Sequence, residues 1–229
     1  MYINESQLKG WTLIKANTVA AAVHYVSKDK TRPTLGTICV EVDDEGTTAT
    51  ATDSYRLGHF RSMNAPKLDK NEPGKFLLKW EDLKAAKLIA PSPKKTLWLA
   101  IRRIEDEHGF PLLELMTLNW TGFVYEKVGQ LTINEYEGNF PKWRQLDNHK
   151  SYLENRKPSG KHDRASDYES PGFNTNYMVD IFQSIGKAVS DTGATTSQIL
   201  HRGMLEPMYV IAHNASGETA LALLMPVVV

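Results

Sequence analysis

A single cysteine, Cys39, stands in a chain of 229 residues. One thiol excludes an internal disulfide and any multi-cysteine zinc or iron–sulfur cluster within one chain. It fits a reducing compartment. Its place in the apolar run Thr37–Val42 reads as a buried strand residue acting as a small hydrophobe. Net charge is missing as well, with 27 Lys+Arg against 27 Asp+Glu. A compact nucleic-acid binder commonly carries excess positive charge. Any contact with nucleic acid must therefore come from local clustering or be weak by design. The longest apolar run, Ala220–Val229, is broken by Pro226 and is too short to span a bilayer. Met1–Gly10 has no basic stretch followed by an apolar one, so no signal peptide is expected. These absences predict a soluble, cytoplasmic protein with no membrane contact.

Catalytic motifs are also lacking. The seven histidines, His24, His59, His108, His149, His162, His201 and His213, include no HExxH or HxH pair, so no sequence-local zinc site is expected. There is no GxxxxGK[ST], no GxGxxG and no GxSxG. The adjacent carboxylates Glu105, Asp106 and Glu107 precede Gly109 and Pro111 and read as a solvated turn. No metal or other cofactor is expected, and nothing in the sequence demands an enzyme.

What is present is a repeat. The run from Leu13 to Ala22 can be laid on the run from Leu77 to Ala86, 64 positions later. Each reads as a short strand ending in Lys, a polar turn and a helix. A third copy begins at Phe173, 159 positions after Ile14. Val19, Ala22, Val23 and Val26 have helical spacing behind Asn17 or Thr18 as N-cap. Leu83, Ala86 and Ala90 follow it with one position missing. Met178, Ile181, Phe182, Ile185 and Val189 show it most clearly, behind Asn174 or Asn176.

Between these helices lie runs with strand composition. They are Leu35–Val42, Thr47–Thr52, Arg56–Phe60, Thr96–Ile101, Leu112–Leu118, Thr121–Glu126, Gln130–Tyr136, Met208–His213 and Glu218–Met225. Each unit is one strand, one helix and several antiparallel strands. That order predicts an α+β fold with helices on one face of a sheet and disfavours a doubly wound nucleotide-binding fold. Asp147–Ser170 breaks the pattern, with five Lys/Arg against five Asp/Glu. The expected organisation is 1–143 with two units, 144–170 as a charged linker or degenerate unit, and 171–229 as a partial second domain.

Four short stretches carry a family resemblance. Ala51-Thr52-Asp53-Ser54-Tyr55-Arg56-Leu57 resembles the ATD-x-x-R-L signature of the bacterial DNA polymerase III β subunit, the replicative sliding clamp. Gly138-Asn139-Phe140-Pro141-Lys142-Trp143-Arg144 is similar to the G-x-F-P-D-Y-R stretch joining the clamp's second and third domains. Leu223-Leu224-Met225-Pro226 is similar to its terminal V-V-M-P-M-R-L. Gly172-Phe173-Asn174 resembles the start of a helix unit in its third domain. The resemblance covers about Trp11 to Val229 and only the second and third clamp domains. Asp147–Ser170 stands where the front half of the third would be. Departures are Lys142 for the acidic residue after F-P, Gln145 for the second Arg, and Val227-Val228-Val229 at the end.

The resemblance implies DNA-clamp-like repeats and a processivity factor that binds double-stranded DNA without reading sequence. It also implies polymerase and clamp-loader peptides as partners, held in a hydrophobic groove. Carried over residue by residue, Thr52, Ser54, Tyr55, Arg56 and Leu57 form one wall of that groove, with Arg56 or Ser54 fixing the peptide backbone. Pro141, Gln145 and Leu146 form another wall, and Leu223, Leu224, Met225 and Pro226 the third.

The family's helices line the DNA hole. On that basis Lys84 and Lys87, with Lys94 and Lys95 following, are the expected phosphate contacts on the second helix. Lys28, Lys30 and Arg32 follow the first helix, and Lys187 lies on the third. A homo-oligomeric ring is implied, with monomer, dimer, trimer and tetramer all open. Two other readings stand beside this one: a clamp-derived peptide-binding or clamp-regulating module that does not encircle DNA, and an enzyme on an α+β fold.

Overall fold

A computed structural model describes residues 1–43, 45–63, 74–85, 97–147, 172–189, 196–201 and 206–227. Among the described residues three α-helices, α1 (Ala16–Ala22), α2 (Trp80–Ala85) and α3 (Thr175–Val189), stand near the start of three units. The first unit runs from β2 (Thr12–Lys15) through α1 to β3 (Thr37–Asp43), β4 (Gly46–Thr52) and β5 (Arg56–Ser62). The second runs from β6 (Lys75–Lys79) through α2 to β7 (Leu97–Glu105), β8 (Pro111–Trp120) and β9 (Tyr125–Asn134). The third follows α3 with β10 (Ser197–Leu200), β11 (Met208–His213) and β12 (Thr219–Leu224), and a two-residue β1 (Tyr2–Ile3) precedes all three. Helix starts at Ala16, Trp80 and Thr175 keep the 64- and 159-residue offsets read from the sequence.

The strands form two antiparallel sheets. One has the order β1-β9-β8-β7-β2 and the other β10-β11-β12-β5-β4-β3-β6. The first two units exchange their leading strands: β2 pairs with β7 of the second unit, and β6 pairs with β3 of the first. The third unit joins through its last strand. β12 pairs with β5 from Thr219↔Arg61 to Leu224↔Arg56, so one sheet runs from the first unit into residues 171–229.

Side-chain alternation divides the core among faces. Ile14, Ile38, Val40, Phe60, Leu99, Val210 and Leu224 point inward from both sheets onto Val19, Ala22, Ile181, Ile185 and Val189 of the helices. Gly58 faces this side, where a Cβ would stand 2.5 Å from the Tyr25 ring. On the outer face of the five-stranded sheet, Leu13, Trp98, Ala100 and Met116 are covered by Ile3, Leu8 and Trp11. On the outer face of the seven-stranded sheet, Cys39, Leu57, Leu77, Tyr209, Leu221 and Leu223 are covered by Phe140 and Trp143.

Several local expectations change. The runs Thr121–Glu126 and Gln130–Tyr136 are one strand, β9, because Thr121 accepts and returns hydrogen bonds with Val124 to make the turn before it. A register shift at Thr117/Leu118 keeps the long β8–β9 hairpin paired. The α1 N-cap is Lys15 with no side-chain bond, not Asn17 or Thr18, since the helix continues directly from β2. At α3, Asn174 Oδ1 accepts from the amides of Asn176 and Tyr177, as a capping asparagine should. β10 is not legible in the sequence, because Ser-Gln-Ile-Leu carries too little β-branched or aromatic character. No helix among the described residues is long and apolar enough to cross a membrane.

Candidate functional site

The β4–β5 turn is built by Asp53. Its Oδ1 accepts from the amides of Tyr55 and Arg56, both at 3.0 Å, and Thr52 Oγ1 donates to the Arg56 carbonyl. This wrap places Ser54 at φ +80°, a conformation L-residues seldom hold. It also aims Tyr55 outward, 58% exposed.

Alternation along β5 then separates two expected groove residues. Leu57 points to the outer face with Leu223, its register partner. Arg56 points the other way, toward the helices, and is buried. Its Nε donates to Asp53 Oδ2 and its Nη1 to Asp180 Oδ2 of α3, while its guanidinium lies 4.1 Å from the Tyr177 ring centroid. The expected role of Arg56 on the groove wall is therefore corrected: it holds the first unit to the third. Leu224 is corrected likewise, because it is fully buried on the helix side with Val210 and Ile181.

The outer face gathers the rest. Met225 donates its amide to the Tyr55 carbonyl at 2.9 Å, so the two exposed ends lie side by side. Phe140 and Trp143 pack on Leu57 and Leu223. The Trp143 ring sits 4.4 Å from His59, and Arg144 Nη2 donates to Glu41. Tyr209 OH donates to the Leu146 carbonyl at 2.9 Å. Leu146 and Met225 are 57% and 39% exposed. Tyr55, Leu146 and Met225 thus stand exposed at the rim of the cluster in which Phe140 and Trp143 cover Leu57 and Leu223. A cavity of about 250 Å³ adjoins it, lined by Lys75 and Phe140–Gln145, including Pro141 and Gln145. Pro226 follows Met225, and Val227 donates to the Gly172 carbonyl.

The expected phosphate contacts divide as well. Lys28, Lys30 and Lys84 are exposed. Arg32 is exposed but held, with Nε donating to Asp29 and Nη1 to Ser54 Oγ at 3.1 Å. Lys187 is half-buried and donates to His24 Nε2 at 2.6 Å, so it is not a free inner-face cation and that expectation is corrected. Burial, then the neighbouring Lys187 charge, holds the His24 pKa below the ordinary histidine value, and the neutral ring accepts this bond. Lys87, Lys94 and Lys95 lie outside the described residues.

Sequence reading missed this seam between α1 and α3. Around Arg56 and Asp180 it adds Tyr25, whose OH lies 2.8 Å from Ser184 Oγ. Ser184 Oγ donates to the Ile181 carbonyl, so the tyrosine hydroxyl is the donor. Burial opposes the charge of Arg56, yet Asp180 and Asp53 hold its pKa above the ordinary arginine value. Burial likewise opposes ionisation of Asp180, and Arg56 overcomes it, lowering that carboxyl's pKa. The residues lie at 24–25, 53–56 and 177–187, so no local spacing announced them.

A larger cavity of about 650 Å³ is lined by Lys79, Asp82, Leu112, Leu131, Thr132, Ile133 and Asn134. No group of three or more potential metal ligands occurs among the described residues.

No protein-family model matches the chain. No curated protein matches it in sequence either. Solved structures do match in fold. The DNA polymerase sliding clamp of Bacillus subtilis superposes with a TM-score of 0.60 at 17% identity, over 96% of this chain and 64% of that one. The β subunit of Thermotoga maritima gives 0.58 at 12%, over 96% and 65%. The Bartonella birtlesii clamp, solved with griselimycin, gives 0.55 at 13%, over 96% and 66%. The fold is that of the bacterial sliding clamps, in a compact version spanning less than two thirds of their length.

Proposed function

We propose that the chain is a clamp-type accessory factor of a replicative DNA polymerase. It takes polymerase or loader peptides on the outer face bordered by Tyr55, Leu146 and Met225, and it contacts duplex DNA from the helix side. The observation that carries this is the meeting of three distant segments, 52–57, 140–146 and 223–226, on one sheet face of a clamp fold. Exposed Tyr55, Leu146 and Met225 near a cavity lined by Phe140, Pro141 and Trp143 suit an extended peptide that inserts one or two side chains.

On the helix side, Lys28, Lys30 and Lys84 are the exposed cations able to meet phosphates without reading bases. A few such contacts on a chain with no net charge give weak, salt-sensitive binding, which sliding requires. Association of several copies into a ring would retain the DNA.

A second reading is favoured by Lys187 and Arg32. Both are engaged by protein groups, which leaves few of the expected cations free for an inner face among the described residues. On that reading the chain is a peptide-binding, clamp-regulating module that does not encircle DNA. Two measurements separate them. A fluorescence-polarisation titration with a polymerase C-terminal peptide should saturate on either reading. Retention of the protein on circular but not linear DNA is expected only for the first. Failure of the peptide to bind removes both.

A further inference from the structure

The cavity of about 250 Å³ on the outer face of the seven-stranded sheet is charged. Its lining includes Lys75, Lys142 and Arg144 and no carboxylate. Lys75, Lys142 and Arg144 are exposed. One carboxylate reaches these cations. Glu41 on β3, in register with Lys75 on β6, accepts from Arg144 Nη2 at 2.8 Å and lies 3.5 Å from Lys75 Nζ. Counting the lining and its ion-pair partner, three positive charges share one negative charge. Asp43, Glu45 and Asp147 lie outside the lining, and the first two pair with Arg61.

The cations are also held in place. Arg144 is fixed between Glu41 and the Trp143 ring, whose centroid lies 4.8 Å from the guanidinium carbon. Its planar fork has further N–H donors beyond the one given to Glu41. Gln145 adds an exposed amide on the same lining.

We propose that this cavity is a carboxylate pocket, and that the peptide taken by the outer face carries Asp or Glu beside its apolar residues. The proposal rests on the peptide reading above and names the class of peptide.

Pocket and rim are parts of one surface. Phe140 and Trp143 line the cavity and also cover Leu57 and Leu223. Leu146, on the rim, follows Gln145 directly. A peptide with apolar side chains against Tyr55, Leu146 and Met225 presents a flanking carboxylate to Arg144 and Lys142, where charge-assisted hydrogen bonds form. Charge complementarity selects this occupant, because a basic pocket favours an acidic flank and rejects a basic one. The chain's own Asp147–Ser170 segment carries five basic and five acidic residues, so as a whole it brings no net charge to offset the excess. Lys142 is one of the positions at which the chain departs from the clamp pattern, so this charge belongs to the chain itself.

Fluorescence polarisation on the full chain tests this with one labelled polymerase C-terminal peptide in three versions, carrying two Glu, two Gln or two Lys beside its apolar residues. Wild type is expected to bind the Glu version ~5-fold or more tighter than the Gln version, and the Lys version weakest. The preference should fade at high salt. Lys142→Glu should reverse the order of the Glu and Lys versions with unchanged thermal unfolding. Lys75→Gln should shrink the Glu preference and leave the Gln version's affinity as it is. Equal affinity of wild type for all three versions overturns the pocket and leaves the peptide reading standing. An order that Lys142→Glu does not alter overturns it too. Displacement of the Glu version by duplex DNA would assign these cations to phosphates and overturn the carboxylate assignment. Binding of none of the versions sinks the peptide reading and the pocket with it.

Discussion

Arg56 on β5 and Asp180 on α3, 124 positions apart, close an ion pair of 2.5 Å between Nη1 and Oδ2. Asp53 takes the other side of the same guanidinium, and Tyr177 stacks beneath it. The pair holds the third unit to the first at the point where β12 meets β5. Arg56→Ala leaves two carboxylates without their cation and is expected to cost ~2–3 kcal/mol in urea unfolding. Arg56→Lys should recover little, because an ammonium cannot serve two carboxylates and a ring in one plane. Equal unfolding midpoints for wild type and Arg56→Ala would count against the seam.

Leu224 and Met225 are neighbours in sequence on opposite faces of one strand end. Leu224→Ala opens a cavity among Val210, Ile181 and Ala188 and is expected to lower stability by ~2–4 kcal/mol. Met225→Ala and Tyr55→Ala remove exposed side chains and should leave the melting temperature nearly unchanged. Their expected effect is on peptide affinity, ~10-fold or more each, since an anchor side chain commonly carries ~1–2 kcal/mol. A titration in which Leu224→Ala and Met225→Ala behave alike would show that the two faces have been wrongly separated.

Gly58 faces Tyr25 and Phe60, whose ring carbons would stand 2.5 and 2.6 Å from an added Cβ. Gly58→Ala is expected to destabilise by ~1–3 kcal/mol through overpacking of β5 against Tyr25. Thermal unfolding checks this, and a stabilised variant would contradict the packing described.

His59 gives the protein a pH dependence. Its ring is bonded to Thr50 and packed on Trp143. Burial, then the Arg61 and Arg144 charges, brings its pKa down to about 4. In the unfolded chain the imidazole titrates at ~6.5, so between those values the unfolded state binds the extra proton. Stability is fully present above pH ~6.5 and should fall by ~2–3 kcal/mol as pH drops toward 4. His59→Phe should flatten that slope in denaturant titrations at a series of pH values.

Lys28, Lys30 and Lys84 are expected to act together on DNA. Changing all three to Glu should weaken duplex binding and make its salt dependence shallower, by ~0.9 in log–log slope for each phosphate that is no longer neutralised. Lys187→Ala should leave the slope unchanged, because its ammonium is committed to His24. Fluorescence anisotropy at several salt concentrations distinguishes the two.

The sequence alone determined the strand-then-helix opening of each unit and, to within two residues, where each helix starts. Strand-then-helix is a local pattern: an apolar run ending in Lys, then 3.6-residue periodicity, repeated at 64 and 159 positions. Local motifs also marked the 52–57, 140–146 and 223–226 segments. What the sequence could not determine was which way each side chain faces. Arg56 and Leu57, or Leu224 and Met225, differ by one position, and in a strand one position is the whole difference between faces. That choice is made when β12 pairs with β5 in one register, which brings Asp180 to Arg56 and leaves Leu57 under Trp143. The same pairing commits Lys187 to His24. Arg56 and Asp180, like His24 and Lys187, are more than a hundred residues apart, so only tertiary packing brings them within hydrogen-bond range.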